Sequence, residues 1–271
     1  MKNEPTLNVA IMKTIIPGKN EEYLAEALQN YANAQCPVAL TGAGISVASG
    51  IADFRSPGGL WSVFSPDKYA SIDVFHRQPE KAWKLYRALG QALQNKKPNS
   101  AHQGLANLEQ EGLLAGIVTQ NVDNLHQVAG SRHVLEIHGD HQHLQCLNCG
   151  DLVPVVPEHY SGDIPLCKHC AVPYKPNVVL FGEAVRHLEE IQELIMQCDL
   201  LLVIGTSANV YPAAGLPALV RERGGLIYEF NLEPALAAAR WTSHNSGSNY
   251  FFEGDLSHTL PSFCKAVLHS K

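Results

Sequence analysis

The sequence has little charge, few aromatic residues and no long apolar run. Only 17% of its 271 residues are charged and 7% are aromatic. The formal net charge is −6, so the chain lacks the surplus of lysine and arginine that neutralises nucleic-acid phosphates. No apolar stretch reaches the roughly 20 residues that span a bilayer, and segment 7–16 lacks the pattern of a secretion signal. We therefore expect a cytoplasmic protein that contacts neither nucleic acid directly nor a membrane.

Apolar residues make up 45% of the chain, which is enough to bury a sizeable core. The length fits one large domain, or one large and one small domain, and we expect a monomer. Seven cysteines are present. Because thiols stay reduced in the cytoplasm, we do not interpret these cysteines as disulfides.

Alternating strand and helix patterns indicate a parallel sheet covered by helices. Apolar residues recur at helical spacing over 20–34, 184–198 and 256–268, and short apolar runs typical of buried strands occupy 37–41, 117–119, 199–205 and 226–230. Ser100 and Gln103 have the spacing of a capping box at the start of another helix. The predicted fold class is therefore α/β, built from βαβ units.

Two Cys-x-x-Cys pairs interrupt this rhythm. Cys146 and Cys149 precede Cys167 and Cys170 by 17 intervening residues, within a loop-rich segment. Pairs at this spacing deliver four thiolates to one tetrahedral Zn²⁺. Since four sulfur ligands leave no open coordination position, the predicted zinc ion is structural rather than catalytic.

The first predicted strand leads directly into Gly42-Ala43-Gly44, a turn suited to binding phosphate. Glycine permits close approach of a pyrophosphate, and backbone N–H groups supply hydrogen bonds. The third glycine of the usual dinucleotide fingerprint is absent, with Val47 in its place. The usual acidic residue about 20 positions later is also absent. The turn therefore does not indicate a hydride-transferring dehydrogenase.

Polar residues also follow two later strands. Gly205, Thr206 and Ser207 come after the strand at 199–205, and Asn231 and Glu233 come after the strand at 226–230. Ligands of open α/β sheets bind at the carboxyl ends of the strands, so we expect these residues to serve phosphates and ribose hydroxyls.

Six ordered motifs between about 36 and 255 resemble those of the sirtuin family. They are Gly42-Ala43-Gly44-Ile45-Ser46 with Asp53-Phe54-Arg55; Thr119-Gln120-Asn121-Val122-Asp123 with Leu125-His126; His138-Gly139; the two cysteine pairs; 176–183, which ends in Gly182-Glu183; and Gly205-Thr206-Ser207 through Val210-Tyr211. The resemblance implies a large Rossmann-like domain, 20–139 and 176–271, with a small zinc-ribbon domain at 140–175. It also implies that NAD⁺ and an acyl-lysine peptide meet in the cleft between them.

The resemblance further implies an NAD⁺-dependent protein-lysine deacylase. In sirtuins the acyl oxygen attacks C1′ of the nicotinamide ribose, and nicotinamide, free lysine and O-acyl-ADP-ribose are released. His138 matches the general base that acts on the ribose hydroxyls. Histidine suits this role because its pKa near 6.5 lets it accept a proton at neutral pH.

The same match assigns the other site residues. Asn121 holds the ribose and a water molecule, Gln120 lies beside the ribose, and Asp123 binds the nicotinamide carboxamide. Cofactor binding is further assigned to Gly42, Ala43, Gly44, Asp53, Phe54, Arg55, Gly205, Thr206, Ser207, Asn231 and Glu233. The peptide adds as a strand between Gly182-Glu183 and Val210-Tyr211, through main-chain hydrogen bonds.

The sequence departs from the family pattern at several positions. Ala52 replaces the proline common before Asp53, which is expected to loosen the cofactor loop. Asn124 replaces a common glycine. Asp140 follows His138-Gly139, where a carboxylate is expected to raise the pKa of His138. The sirtuins that remove succinyl and malonyl groups have a Tyr-x-x-Arg pair, whereas here Tyr86 is followed by Leu89 at the arginine position. Neutral acyl groups are therefore expected.

Other activities remain open at this stage. A mono-ADP-ribosyltransferase or an NAD hydrolase would cleave the same C1′ bond, and sequence does not identify the acceptor. A zinc-ribbon module that senses NAD⁺ without turnover is disfavoured, because His138 and Asn121 are both present.

Overall fold

The computed structural model of the protein describes residues 12–53, 59–238 and 248–270. Phe54 and Arg55 therefore lie outside the described residues. The strands are β1 (Lys13–Ile15), β2 (Pro37–Thr41), β3 (Gly116–Thr119), β4 (Val134–Glu136), β5 (Gly139–Gln145), β6 (Leu152–Pro154), β7 (Lys175–Val178), β8 (Leu200–Ile204), β9 (Leu226–Asn231) and β10 (Tyr250–Glu253).

The helices vary from single turns to four turns. They are α1 (Glu21–Asn33), α2 (Leu60–Val63), α3 (Pro66–Tyr69), α4 (Ile72–Arg77), α5 (Pro79–Leu93), α6 (Ser100–Gln110), α7 (Leu125–Ala129), α8 (Leu188–Gln197), α9 (Leu216–Glu222), α10 (Ala235–Ala238) and α11 (Leu256–His269). Short 3₁₀ segments lie at Ala43–Ser49, Pro157–Tyr160 and Ala213–Gly215.

The main sheet has seven strands in the order β1-β10-β9-β8-β2-β3-β4, and all neighbours in it are parallel. This confirms the predicted parallel α/β architecture. Strand β2 pairs with β3 on one side and with β8 on the other. The strands that follow β2 in sequence, β3 and β4, lie on one side of it, and the later strands from β8 onward lie on the other side. The sheet therefore has a topological switch point between β2 and β8.

The sequence of β8 explains why both faces of the sheet are covered. All five of its residues are apolar and buried. Because side chains alternate along a strand, Leu200, Leu202 and Ile204 join one core cluster with residues of α6 and α11. Leu201 and Val203 join a second cluster on the opposite face, with residues of α8 and α9. Continuous apolar runs of this kind are typical of strands packed between two layers of helices.

A second, antiparallel sheet has the order β6-β5-β7 and adjoins both cysteine pairs. A third core cluster joins this small sheet to α5. It includes Trp83 and Tyr86 of that helix together with Leu144 and Tyr174. The indole N–H of Trp83 donates to the carbonyl of Tyr174 at 2.9 Å. Helix α5 is thereby fixed against the small sheet.

Two predicted helix starts were wrong in position. The capping box of α6 is formed by Asn99 and His102, one residue before the predicted pair, because the Asn99 side chain accepts from Ala101 N–H at 2.9 Å. Helix α8 begins at Leu188, although helical spacing extends back to 184. Arg186 N–H instead donates to the carbonyl of Ile137 at 3.0 Å, and this bond holds the residues before Leu188 in a loop.

Over the ranges that the structure describes, we find no helix of the length and apolar character needed to cross a bilayer.

Candidate functional site: a cleft at the carboxyl ends of the strands

A cleft of about 450 Å³ opens at the carboxyl-terminal edge of the main sheet. This volume lies within the range of small-molecule sites. Most of the predicted cofactor and substrate residues line it, namely Gly42, Ala43, Gly44, Asp53, Gln120, Asn121, His138, Gly182, Glu183, Gly205, Thr206, Ser207, Val210, Tyr211 and Asn231. The parallel sheet brings them together, because the segments that follow β2, β3, β8 and β9 all emerge at one edge.

Two predicted residues do not line the cleft. Asp123 lies behind its wall, where its carboxylate accepts from the Ser46 hydroxyl at 2.6 Å and from Leu125 N–H at 3.0 Å. Glu233 follows β9 but is exposed outside the cleft. Their predicted contacts with the cofactor stay predictions.

The glycines of the first turn face another loop rather than open space. A Cβ atom on Gly42 would lie 2.7 Å from the carbonyl oxygen of Gly205, and one on Gly44 would lie 2.7 Å from its Cα. Gly44 N–H donates to Gly205, and Gly42 N–H donates to Ile204, both at 2.9 Å. These two N–H groups are thus engaged within the protein, so the two glycines are explained by the packing of loops.

His138 is held by one main-chain hydrogen bond. Its Nδ1 lies 3.0 Å from the carbonyl oxygen of Gln120. A carbonyl only accepts, so Nδ1 carries the proton and Nε2 keeps its lone pair. Burial lowers the pKa of His138 below its usual value, against the smaller opposing effect of the Gln120 hydrogen bond. The side chain is therefore neutral at pH 7, as a general base must be.

Asp140 does not act on His138 as the sequence suggested. Its carboxylate accepts from His143 Nδ1 at 2.8 Å and from Asn177 Nδ2 at 2.6 Å. It is not among the groups that shift the pKa of His138, and the expectation that it raises this pKa was wrong. The bond to Asn177 links β5 to β7.

The side chain of Asn121 is oriented by a buried polar network. Its Nδ2 donates to Ser46 Oγ at 3.1 Å, and the Ser46 hydroxyl donates to Asp123. His102 completes the network: its Nδ1 accepts from Asn99 N–H, which leaves the proton on Nε2 to face Ser46 Oγ at 3.4 Å. Ser46 and His102 were not assigned from the sequence, since a hydroxyl and a helical histidine alone are weak signals.

Asn124 occupies the left-handed region with φ of 63°. This geometry suits the glycine that the resemblance implies at this position, and asparagine is among the few other residues that tolerate it. Replacing glycine by Asn124 therefore leaves the turn between Asp123 and α7 intact.

The side chain of Glu183 is engaged inside the protein. Its Oε2 accepts from Lys175 Nζ at 2.9 Å and from Leu180 N–H at 2.7 Å. Lys175 is fully buried and also donates to the Val178 carbonyl at 2.6 Å. Burial lowers the pKa of Lys175, and the carboxylate of Glu183 opposes that shift. The ion pair fixes the segment 178–183.

Four cysteine Sγ atoms converge as the spacing predicted. Those of Cys146, Cys149, Cys167 and Cys170 all lie within 4.8 Å of one another. The Sγ atoms of Cys149 and Cys167 are 3.7 Å apart, which matches the roughly 3.8 Å edge of a tetrahedron with Zn–S bonds of about 2.3 Å. The thiol donors and their spacing therefore fit one structural zinc ion.

The two zinc knuckles share one backbone design. Gly150 N–H donates to Cys146, and Ala171 N–H donates to Cys167. Both residues have left-handed backbones, with φ of 78° for Gly150 and 55° for Ala171. Glycine adopts this conformation without steric cost, whereas alanine does not.

We therefore expect Ala171→Gly to stabilise the zinc-loaded protein by about 1 kcal/mol, since it relieves the left-handed strain. The matched change Gly150→Ala should destabilise it by a similar amount. The measurement is urea unfolding of zinc-saturated protein. Shifts of the same sign for both variants would contradict the strain argument.

Buried histidines make the stability depend on pH. Burial lowers the pKa of His102 to about 4, of His126 to about 3 and of His141 to about 4. Unfolding restores values near 6.5, so the unfolded chain binds more protons as the pH falls. The free energy of unfolding is therefore unaffected by these histidines above pH 6.5. Below pH 6.5 it falls by up to about 1.4 kcal/mol per histidine per pH unit, until the folded-state pKa is reached.

The test is the free energy of unfolding between pH 6.5 and 5. His141→Gln should reduce the slope of the free energy of unfolding against pH by up to about 1.4 kcal/mol per pH unit, which corresponds to one bound proton. A flat profile for the unsubstituted protein would refute this explanation.

Known proteins share this combination of features. Residues 42–212 match the model of the Sir2 family. An NAD-dependent protein deacetylase of Caldivirga maquilingensis is 44% identical over 201 residues, which cover 73% of this chain and 78% of that protein. The structure of a Sir2 homologue in complex with NAD has a TM-score of 0.83 at 34% identity, with 96% of this chain and 97% of that chain covered.

A Sir2 structure with a p53 peptide and NAD⁺ is also similar. Its TM-score is 0.76 at 34% identity, over 91% of this chain and 98% of that chain.

Proposed function

This chain belongs to the Sir2 family, the sirtuins, and we infer that it is an NAD⁺-dependent protein-lysine deacylase. The observation that carries this conclusion is the meeting of His138 and Asn121 with the loops after β2 and β8 in one cleft. The products are nicotinamide, the free lysine and O-acyl-ADP-ribose. Peptides or proteins bearing acyl-lysine are its substrates, as the peptide complex of a related protein supports.

We propose that the cofactor lies along the carboxyl-terminal edge of the main sheet. Gln120 Nε2 donates to Thr206 Oγ1 at 2.9 Å, and Asn231 Nδ2 donates to the Thr206 carbonyl at 3.2 Å. These bonds join the segments after β3, β8 and β9 into one polar surface for phosphate and ribose groups. When bound, NAD⁺ would supply an ADP-ribosyl group. At its C1′ atom the bond to nicotinamide is replaced by a bond to the acyl oxygen.

His138 acts as the general base in this proposal. Because Nδ1 is fixed on the Gln120 carbonyl, Nε2 is the atom that accepts a proton from a ribose hydroxyl. Asn121 is oriented by Ser46, so its Oδ1 is directed away from that hydroxyl and is available to the ribose or to a water molecule. The base, His138, and the hydrogen-bond acceptor, Asn121, are thus already in position before the substrates bind.

The peptide binds as an added strand at the mouth of the cleft. Phe181 and Tyr211 are half-exposed on the two sides of this mouth, next to Gly182 and Val210. Main-chain hydrogen bonds to such a strand supply affinity with little dependence on peptide sequence.

We further propose the domain division 20–139 and 176–271 with a zinc module at 140–175, a cytoplasmic location and a monomeric state. The small sheet and its four free cysteines support the module. Zinc thiolates persist in a reducing compartment, and residues of a single chain form the cleft.

The deciding experiment is mass spectrometry of an acetyl-lysine peptide incubated with NAD⁺ and the zinc-loaded protein. We expect deacetylation with formation of O-acetyl-ADP-ribose, and a loss of about 10²- to 10⁴-fold in kcat for His138→Ala. The control His143→Ala alters a histidine of the small sheet that does not line the cleft, and it should retain activity.

Nicotinamide release without deacetylation would overturn the choice of acetyl as the acyl group and indicate a longer acyl group or transfer of ADP-ribose. If longer acyl-lysine peptides also keep their acyl groups, the deacylase assignment itself is overturned. Full activity of His138→Ala would instead refute the role of this histidine.

A further inference from the structure

The connection between α5 and α6 holds the loop that follows β2. Lys96 lies in this connection, and its Nζ donates to the carbonyl oxygen of Gly50 at 2.6 Å. Three residues later, Asn99 Nδ2 donates to the carbonyl oxygen of Ile45 at 2.8 Å. Two side chains of one connection therefore hold main-chain carbonyls of the 3₁₀ segment Ala43–Ser49 and of the glycine that follows it.

The conformation of Gly50 makes its carbonyl the group that links this loop to the rest of the chain. Its φ is 76°, in the left-handed region, and its N–H donates to the Val47 carbonyl at 2.9 Å. Ile51 N–H donates to the Ser46 carbonyl at 3.3 Å. The donors of these two residues are thus used within the loop, whereas the Gly50 carbonyl accepts from Lys96.

The residues after Gly50 lead directly into the cleft. Ile51 is buried, Ala52 is exposed, and Asp53 lines the cleft and is one of the predicted cofactor residues. Because Ala52 lacks the ring with which proline fixes φ, the path from Gly50 to Asp53 is restrained by contacts with neighbouring segments. Any shift of the Gly50 carbonyl is therefore passed on to Asp53, three residues later.

The side chain of Lys96 is suited to restrain a carbonyl from outside the cleft. A hydrogen bond from an ammonium group is stronger than one between neutral groups. Lys96 is half-buried, and within the described ranges it is not among the residues that line the cleft. Its effect on a bound molecule must therefore pass through Gly50. The next residue, Lys97, carries the same charge but is exposed.

We propose that Lys96 is a positioning residue for NAD⁺, which holds the Gly50 carbonyl and thereby fixes the segment 50–53 in the arrangement that binds the cofactor. The proposal rests on the function inferred above and adds to it a residue outside the cleft. It places the effect of Lys96 on the binding of NAD⁺, separate from the binding of the peptide and from the chemical step.

The test compares the zinc-loaded full chain with three variants. Lys96→Met removes the donor but keeps a side chain of similar length, and Lys96→Arg keeps a charged donor. Lys97→Met is the matched control, because it removes the same charge from the adjacent residue. For each protein we measure the Kd of NAD⁺ by calorimetry without peptide, the KM of NAD⁺ and of an acetyl-lysine peptide, kcat, and unfolding in urea.

We expect Lys96→Met to raise the Kd and the KM of NAD⁺ by about fivefold, the scale of one partly exposed hydrogen bond from a charged group. The KM of the peptide and kcat at saturating NAD⁺ should stay unchanged. Lys96→Arg should recover most of the affinity for NAD⁺, and Lys97→Met should leave it at the value of the unsubstituted protein.

An unchanged Kd of NAD⁺ in Lys96→Met would overturn the proposal, and a loss of stability without a change in Kd would assign Lys96 a structural role only. Equal losses of affinity in Lys96→Met and Lys97→Met would assign the effect to charge and likewise overturn it. If the unsubstituted protein binds NAD⁺ but removes no acyl group, the deacylase function fails while the Kd values still decide this proposal. If it does not bind NAD⁺, both fail.

Discussion

Backbone contact between two loops is the constraint on which the cleft depends. Gly42 and Gly44 pack against Gly205, and a Cβ atom at either position would collide with its backbone. The loops after β2 and β8 therefore meet at the switch point of the sheet, where hydrogen bonds between them fix their separation. This contact assembles the polar surface of Thr206, Gln120 and Asn231. Without it, residues far apart in the sequence would not face one cofactor.

The two side chains that we propose as catalytic are positioned by hydrogen bonds from neighbouring residues. His138 is held by the Gln120 carbonyl, and Asn121 is held by the Ser46 hydroxyl. The first bond leaves Nε2 of His138 free to accept a proton, and the second leaves Oδ1 of Asn121 free to accept a hydrogen bond. The ion pair of Lys175 and Glu183 fixes the segment 178–183, in which Val179 N–H donates to the His138 carbonyl. Burial supplies both the rigidity and the lowered pKa of His138.

Features that depend on a local sequence pattern could be predicted from the sequence. The apolar run of β8, the cysteine spacing and the ordered motifs predicted the sheet, the metal ligands and most of the cleft. Features that depend on a contact between distant residues could not be predicted from the sequence. The loop before α8 is held by Ile137, and Asp140 is engaged by Asn177 and His143 rather than by His138. The part of the cleft lined by Leu85, Tyr86 and Leu89 forms only when α5 packs against the small sheet.

The central claim is that His138 is neutral with its proton on Nδ1, so that Nε2 is the base. Nitrogen-15 NMR of the histidine side chains in the zinc-loaded protein, assigned with His138→Ala, measures both properties directly. The account predicts the Nδ1–H tautomer and a pKa of His138 below its ordinary value near 6.5. An Nε2–H tautomer would contradict it, because Nε2 would then carry a proton in place of its lone pair. A pKa above 6.5 would contradict the lowering by burial, and a pKa above 7 would leave both ring nitrogens protonated at neutral pH.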